Sequence, residues 1–126
     1  MQSSFYRCGR CNNIVGLINN GGGRLVCCNE AMELLVPGSV DAAVEKHVPC
    51  VTVDGNSVSV TVGSAPHPML AEHSIKWIYF KSEQGGQRRE LKAGDEPAAE
   101  FCFAEGDKPL AVFAYCDLHG LWEADI

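Results

Sequence analysis

The chain is short of positive charge. Ten Lys and Arg stand against sixteen Asp and Glu in 126 residues, a formal net charge of −6. A chain that acidic repels the phosphates of nucleic acid, so no nucleic-acid partner is expected. Long apolar runs are missing as well, and none approaches the roughly 20 residues that span a bilayer. The stretch Met1–Arg7 has neither the basic segment nor the apolar stretch of a secretory signal. These two absences lead us to expect a cytoplasmic protein without a membrane partner. Helical pattern is scarce, with one candidate turn at Asp41-Ala42-Ala43-Val44-Glu45. Histidine is also scarce, at four residues, but cysteine is not, at seven. An odd cysteine count without an export signal argues against a disulfide framework, and in a reducing compartment grouped cysteines bind metal.

What is present divides in two. Residues 1–36 carry Cys8-Gly9-Arg10-Cys11 and Cys27-Cys28, with the apolar runs Ile14–Ile18 and Arg24–Cys28 on either side of Asn19-Asn20-Gly21-Gly22-Gly23. Two short runs around an Asn/Gly cluster read as a hairpin. A unit this small cannot bury enough surface to fold alone, so a metal or an oligomer is expected, and the four cysteines fit the need for a metal. Sulfurs on one tetrahedral ion sit about 3.8 Å apart, which is also about the spacing of neighbouring Cα atoms. The adjacent cysteines can therefore share an ion with Cys8 and Cys11, provided the backbone bends, because strand side chains otherwise alternate in direction. Such a four-sulfur set suits zinc or iron.

Val36-Pro37-Gly38-Ser39 marks a boundary. Residues 37–126 then give repeated strand signals: 51–53 and 57–62 around Asp54-Gly55-Asn56, 74–80 with Ile75, Trp77 and Tyr79 on one face, 87–91, 100–103, 110–115 and 121–123. About seven short strands at this spacing point to an all-β chain, a small metal-binding hairpin domain followed by an immunoglobulin-like antiparallel β-sandwich.

All four histidines lie beside Pro, Gly or a strand end, in Glu45-Lys46-His47-Val48-Pro49, in Pro66-His67-Pro68 through His73, and in Cys116-Asp117-Leu118-His119-Gly120. Loops at one end of a sandwich bring such distant segments together. His47, His67, His73, His119 and Cys116 can supply five ligands to one metal. Imidazole and thiolate suit a borderline ion such as iron, which takes one ligand more and so keeps a position open for chemistry.

In combination these motifs, which cover essentially the whole chain, resemble the desulfoferrodoxins, a family of two-iron superoxide reductases. The resemblance implies one iron on Cys8, Cys11, Cys27 and Cys28. It implies a second on a plane of His47, His67, His73 and His119 with Cys116 on the axis, with zinc or calcium as the expected substitutes in isolated protein. It further implies a homodimer, superoxide as substrate and an external electron donor such as rubredoxin. Thiolate donation from Cys116 favours passing an electron to superoxide. Lys46 offsets the repulsion between an acidic protein and an anionic substrate, and is placed to order a proton-delivering water. By the same resemblance Glu45 closes over the oxidised iron as a sixth ligand and withdraws on reduction. For the four-cysteine centre, relay and structural roles both fit. Lys76 is a further cation that the sequence does not place. Cys50 and Cys102 fall outside the pattern and read as core or partly exposed thiols. Rival readings are a non-catalytic iron electron-transfer protein, a zinc-stabilised binding module, and a superoxide dismutase, which thiolate donation disfavours.

Overall fold

The computed structural model describes residues 3–126. The chain divides into two compact units, Met1–Pro37 and Gly38–Ile126. Among the described residues no helix is long and apolar enough to cross a membrane.

The first unit is built from two tight turns rather than the single hairpin expected from its apolar runs. Strand β1 (Phe5–Arg7) pairs with β2 (Ile14–Gly16), and the connection between them carries Cys8 and Cys11. Strand β3 (Val26–Cys27) pairs with β4 (Glu30–Ala31) around Cys28 and Asn29. Strand β5 (Glu33–Leu34) returns to the other side of β1. The Ile14–Ile18 and Arg24–Cys28 runs therefore do not pair with each other, and residues 19–23 connect two hairpins. The Gly-rich cluster reads as the turn because apolar spacing cannot tell a turn from a longer link. The backbone signals at the cysteines decide the matter: Asn12, Cys28 and Asn29 all have positive φ, at 64°, 52° and 61°. Asn tolerates that region better than most residues.

In the second unit one short helix, α1 (Val44–His47), starts three residues and ends two residues later than the turn expected at 41–45. Seven strands follow. β6 (Pro49–Asp54), β7 (Ser57–Val62) and β10 (Ala98–Cys102) form one sheet in the order β10-β7-β6. β8 (Ile75–Ser82), β9 (Gly85–Glu90), β11 (Pro109–Cys116) and β12 (Gly120–Asp125) form the other in the order β12-β11-β8-β9. All pairs are antiparallel. The strict alternation of β7 sends Val58, Val60 and Val62 inward and Ser57, Ser59 and Thr61 to solvent. Those valines pack with Phe101, Ile78, Phe80, Val112 and Ala114 into the core between the sheets. The Phe80 and Phe101 rings stack at 5.6 Å.

One strand does not alternate as its sequence suggests. Ile75, Ile78 and Phe80 share the core, whereas Trp77 stacks on Tyr115 at 5.5 Å. The register explains this: Tyr115 faces Trp77 but Cys116 faces Ile75, so Lys76 is an extra residue on β8. A bulge of this kind shifts the phase of a strand and re-aims the residues beside it. Here it sits against Cys116, at the end of the core.

Candidate metal centres

The two cysteine turns of the first unit converge. The Sγ atoms of Cys8, Cys11, Cys27 and Cys28 lie within 4.8 Å of one another. Cys11 and Cys27 are 3.6 Å apart and Cys27 and Cys28 are 4.0 Å apart, bracketing the spacing of about 3.8 Å on a tetrahedral ion. The left-handed backbone at Cys28 supplies the bend that adjacent ligands require. Backbone N–H groups of Arg10 and Cys11 point at Cys8 Sγ, at 3.4 and 3.5 Å. With Cys11 first, they pull the Cys8 thiol down to about 6, since N–H donors favour the charged sulfur. Cys28 is pushed the other way, to about 12, chiefly by its contact with Cys11. Four sulfurs this close cannot all be anionic without a cation among them, so the donor set fits a bound metal.

The second cluster draws on three segments. Helix α1 ends at His47, and its position depends on Gly63, which follows β7. A Cβ on Gly63 would lie 2.6 Å from the Glu45 carbonyl oxygen and 3.0 Å from that of Val48, so only glycine admits the close approach. Ala65 N–H and Ser64 Oγ–H then donate to that Glu45 carbonyl, at 2.9 and 3.2 Å. This ties α1 to the chain leading into His67. His73 faces Leu70 in a small β-bridge. Cys116 ends β11, and His119 lies in the turn to β12, which closes at Gly120 with φ of 77°.

Ligand atoms of His47, His67, His73, Cys116 and His119 lie within 4.8 Å of one another. The four rings form a closed circuit in the order 47, 67, 73, 119, with neighbouring centroids 4.6, 4.7, 5.0 and 4.8 Å apart. Each neighbouring pair is close to perpendicular. His47 Nε2 is 3.1 Å from His67 Nε2 and 3.0 Å from His119 Nδ1. Donors at right angles on an ion with bonds of about 2.1 Å would be about 3.0 Å apart.

The tautomers sharpen the fit. His47 Nδ1 is 2.7 Å from the Ala43 carbonyl and His67 Nδ1 is 2.7 Å from the Pro68 carbonyl. A carbonyl only accepts, so each Nδ1 carries the proton and each Nε2 presents a bare lone pair. Two bare lone pairs at 3.1 Å repel unless a cation lies between their axes. His73 Nε2 is buried and has no hydrogen-bond partner among the described residues. Burial pulls the His67 ring down to about 4 and lowers His47, so both are neutral and ready to ligate at neutral pH. Burial raises the Cys116 thiol, the N–H groups of Leu118 and His119 pull it back, and the charge of Asp117 raises it again. A buried thiol of this kind ionises when it meets a metal.

The sequence pattern of the desulfoferrodoxin family matches residues 39–125, and that of the desulfoferrodoxin N-terminal domain matches residues 2–35. The chain belongs to the desulfoferrodoxin family. It is 46% identical to the desulfoferrodoxin of Nitratidesulfovibrio vulgaris over 98% of this chain and 97% of that protein. The crystal structure of the superoxide reductase from Treponema pallidum superposes with a TM-score of 0.80 at 35% identity, covering 98% of both chains. The one-iron superoxide reductase from Giardia intestinalis superposes with a TM-score of 0.56 at 32% identity, over 65% of this chain and 97% of its own. The four-cysteine set and the set of four histidines and one cysteine are consistent with the two iron centres of a desulfoferrodoxin.

The remaining sequence candidates are placed as follows. Glu45 and Lys46 are exposed on α1, next to His47 and outside the ligand cluster. Lys76 is in an ion pair with Asp117 at 3.7 Å. Cys50 and Cys102 are both exposed, so neither is a core thiol. Each sits on the solvent face of the β10-β7-β6 sheet, opposite exposed Thr61 and Ser57. Trp122 was not a sequence candidate, yet it touches two ligands. Its ring stacks on His47 at 4.9 Å, and its Nε1–H donates to the His119 carbonyl at 3.0 Å. Its position three residues after His119 is the signal that could have identified it.

Proposed function

We propose that this desulfoferrodoxin reduces superoxide to hydrogen peroxide in the unit spanning residues 37–126, with residues 1–36 holding the four-cysteine centre. One observation carries the reading: four imidazoles from three segments close a ring around a common point, while the buried Cys116 thiol, from the segment that also carries His119, reaches the same cluster. His47, His67, His73, His119 and Cys116 would hold ferrous iron, which when bound would supply the electron and, with five protein donors, leave one position open. The overall change is superoxide plus one electron and two protons giving hydrogen peroxide, with no dioxygen released.

The residues of the chain do the rest. The Ala43 and Pro68 carbonyls hold His47 and His67 in the tautomer whose Nε2 faces the cluster. The Cys116 thiolate, shielded from water, is a strong electron donor at the same centre. Lys46 is exposed, is one residue from His47, and forms no ion pair among the described residues, so its ammonium is available to the anion. In a chain of net charge −6 that local field governs the encounter, and a water on the ammonium is a source of protons. Glu45 repels an incoming anion, so its role falls after turnover, as a closing ligand. A small external reductant such as rubredoxin, a homodimeric assembly and a cytoplasmic setting complete the reading, each supported by the family resemblance.

The test is a visible spectrum of the purified iron-loaded protein. Oxidation with superoxide should bring up a thiolate-to-iron charge-transfer band. Cys116→Ser should lack that band and the peroxide-forming activity while keeping the four-cysteine absorption. A Cys116→Ser protein with the band intact would refute the assignment.

A further inference from the structure

Two of the three ligand-bearing segments are joined by a contact outside the ligand cluster. Asp117 follows Cys116, and Ser74 follows His73. The Asp117 N–H donates to the Ser74 carbonyl at 3.2 Å, and the Ser74 N–H donates to Asp117 Oδ1 at 3.1 Å. The first bond continues the β11–β8 ladder past the bulge. The second replaces a ladder bond, a carboxylate oxygen standing where a backbone carbonyl would otherwise accept. The chain can then turn away into Leu118 and His119 without leaving the Ser74 N–H unpaired, and Ser74 is fully buried.

The bulge residue completes the arrangement. Lys76 is skipped in the pairing of β8 with β11, and its own carbonyl is taken by the Leu91 N–H at 2.9 Å. Its ammonium reaches back to Asp117 Oδ2 at 3.7 Å. A half-exposed ion pair adds little to stability. Here it has another consequence, because Asp117 places a negative charge beside the Cys116 thiolate and Lys76 offsets it.

We infer that Asp117 is a positioning residue that fixes the His73 segment to the Cys116 segment, with Lys76 as the counter-charge that sets the field at the Cys116 sulfur. This rests on the reading of the histidine–cysteine cluster as an iron site. Removing the clamp loosens two ligand segments at once. Changing the charge alone leaves the segments in place and alters the electronic environment of the thiolate. A negative charge nearer to sulfur than to the metal makes it easier for the electron to leave sulfur, and so lowers the energy of the charge-transfer band.

Three variants of the iron-loaded full chain separate these effects: Asp117→Ala, Asp117→Asn and Lys76→Met. Two properties are read, the rate of iron loss from the histidine–cysteine site to a chelator and the energy of the charge-transfer band after oxidation. Asp117→Ala should lose that iron about tenfold faster or more. Asp117→Asn keeps an oxygen acceptor for the Ser74 N–H and should stay within about threefold of the parent. The band should move to higher energy in Asp117→Asn and to lower energy in Lys76→Met, with the four-cysteine absorption constant in all three. A merely structural residue would not produce opposite shifts. Equal iron loss in Asp117→Ala and parent, or a band unmoved in both charge variants, would overturn the proposal. A parent protein that holds no iron at the histidine–cysteine site would overturn it together with the functional reading beneath it.

Discussion

The two metal sites are made in opposite ways. In the first unit the donors come from two turns 19 residues apart, and the strands around them are two or three residues long. Cys8 and Phe5 are buried hydrophobics there, but Val15, Ile18 and Val26 are exposed. There is little core to hold those turns without the ion, so the site makes the fold. In the second unit the donors span His47 to His119, and they sit at the end of a core with Val58, Val62, Ile75, Ile78, Phe80 and Val112 fully buried. There the fold makes the site. Metal chemistry that depends on an open position needs the second kind of construction, because the ligand frame must persist while the substrate comes and goes.

The largest effect expected from this contrast is on metal removal. Stripping both ions should collapse the first unit, since a structural metal contributes on the order of 10 kcal/mol to such a fold. The β-sandwich should stay folded, with changes confined to the histidine segments. Amide NMR dispersion reads this directly, and loss of dispersion from residues of β7, β8 and β11 would break the comparison. Next in size, Phe80→Ala should cost the second unit about 3–5 kcal/mol in denaturant unfolding. The four-cysteine absorption should be unaffected below the transition. Smaller again, Trp122→Phe keeps a ring beside His47 but loses the bond to the His119 carbonyl. A loss of about 1 kcal/mol in stability is expected, with a measurable rise in iron release from the histidine–cysteine site alone.

The smallest effect concerns residues outside both ligand sets. Asp107 accepts Ser82 Oγ–H at 2.6 Å and the N–H groups of Gln84 and Lys108 at 3.1 and 2.8 Å. The Ser82 hydroxyl, first among these, holds its carboxyl below the usual value. A folded pKa below the unfolded one, about 3.9, stabilises above that value and ceases to as pH falls through the folded pKa. Ser82→Ala should therefore be slightly less stable than the parent near neutral pH, with the gap closing below about pH 4. A gap that widens in acid would contradict the sign.

Much of this was legible in the sequence, and the failures have physical reasons. Alternation in Ser57–Val62 located β7 and its buried face because an outer sheet face in water demands polar residues. The nine candidate metal donors were legible because grouped cysteines in a chain without an export signal, and histidines that all lie beside turn residues or strand ends, have few other uses. The pairing in the first unit was not legible, since two-residue strands carry no period and their turns are set by positive φ at Asn12, Cys28 and Asn29. The face of β8 was misjudged because one extra residue, Lys76, reverses the alternation and leaves no trace in hydropathy. Trp122 and Asp117 were missed for a common reason: the contacts that single them out, Trp122 with His47 and Asp117 with Ser74, exist only in the folded chain.

The central claim is that the frame of four histidines and one cysteine carries a one-electron reduction. Its most direct test is the yield of hydrogen peroxide and dioxygen when iron-loaded, reduced protein meets a known quantity of superoxide. The account predicts one peroxide for each superoxide consumed and no dioxygen from the protein-dependent reaction. One peroxide for every two superoxides, with dioxygen evolved alongside, would contradict it.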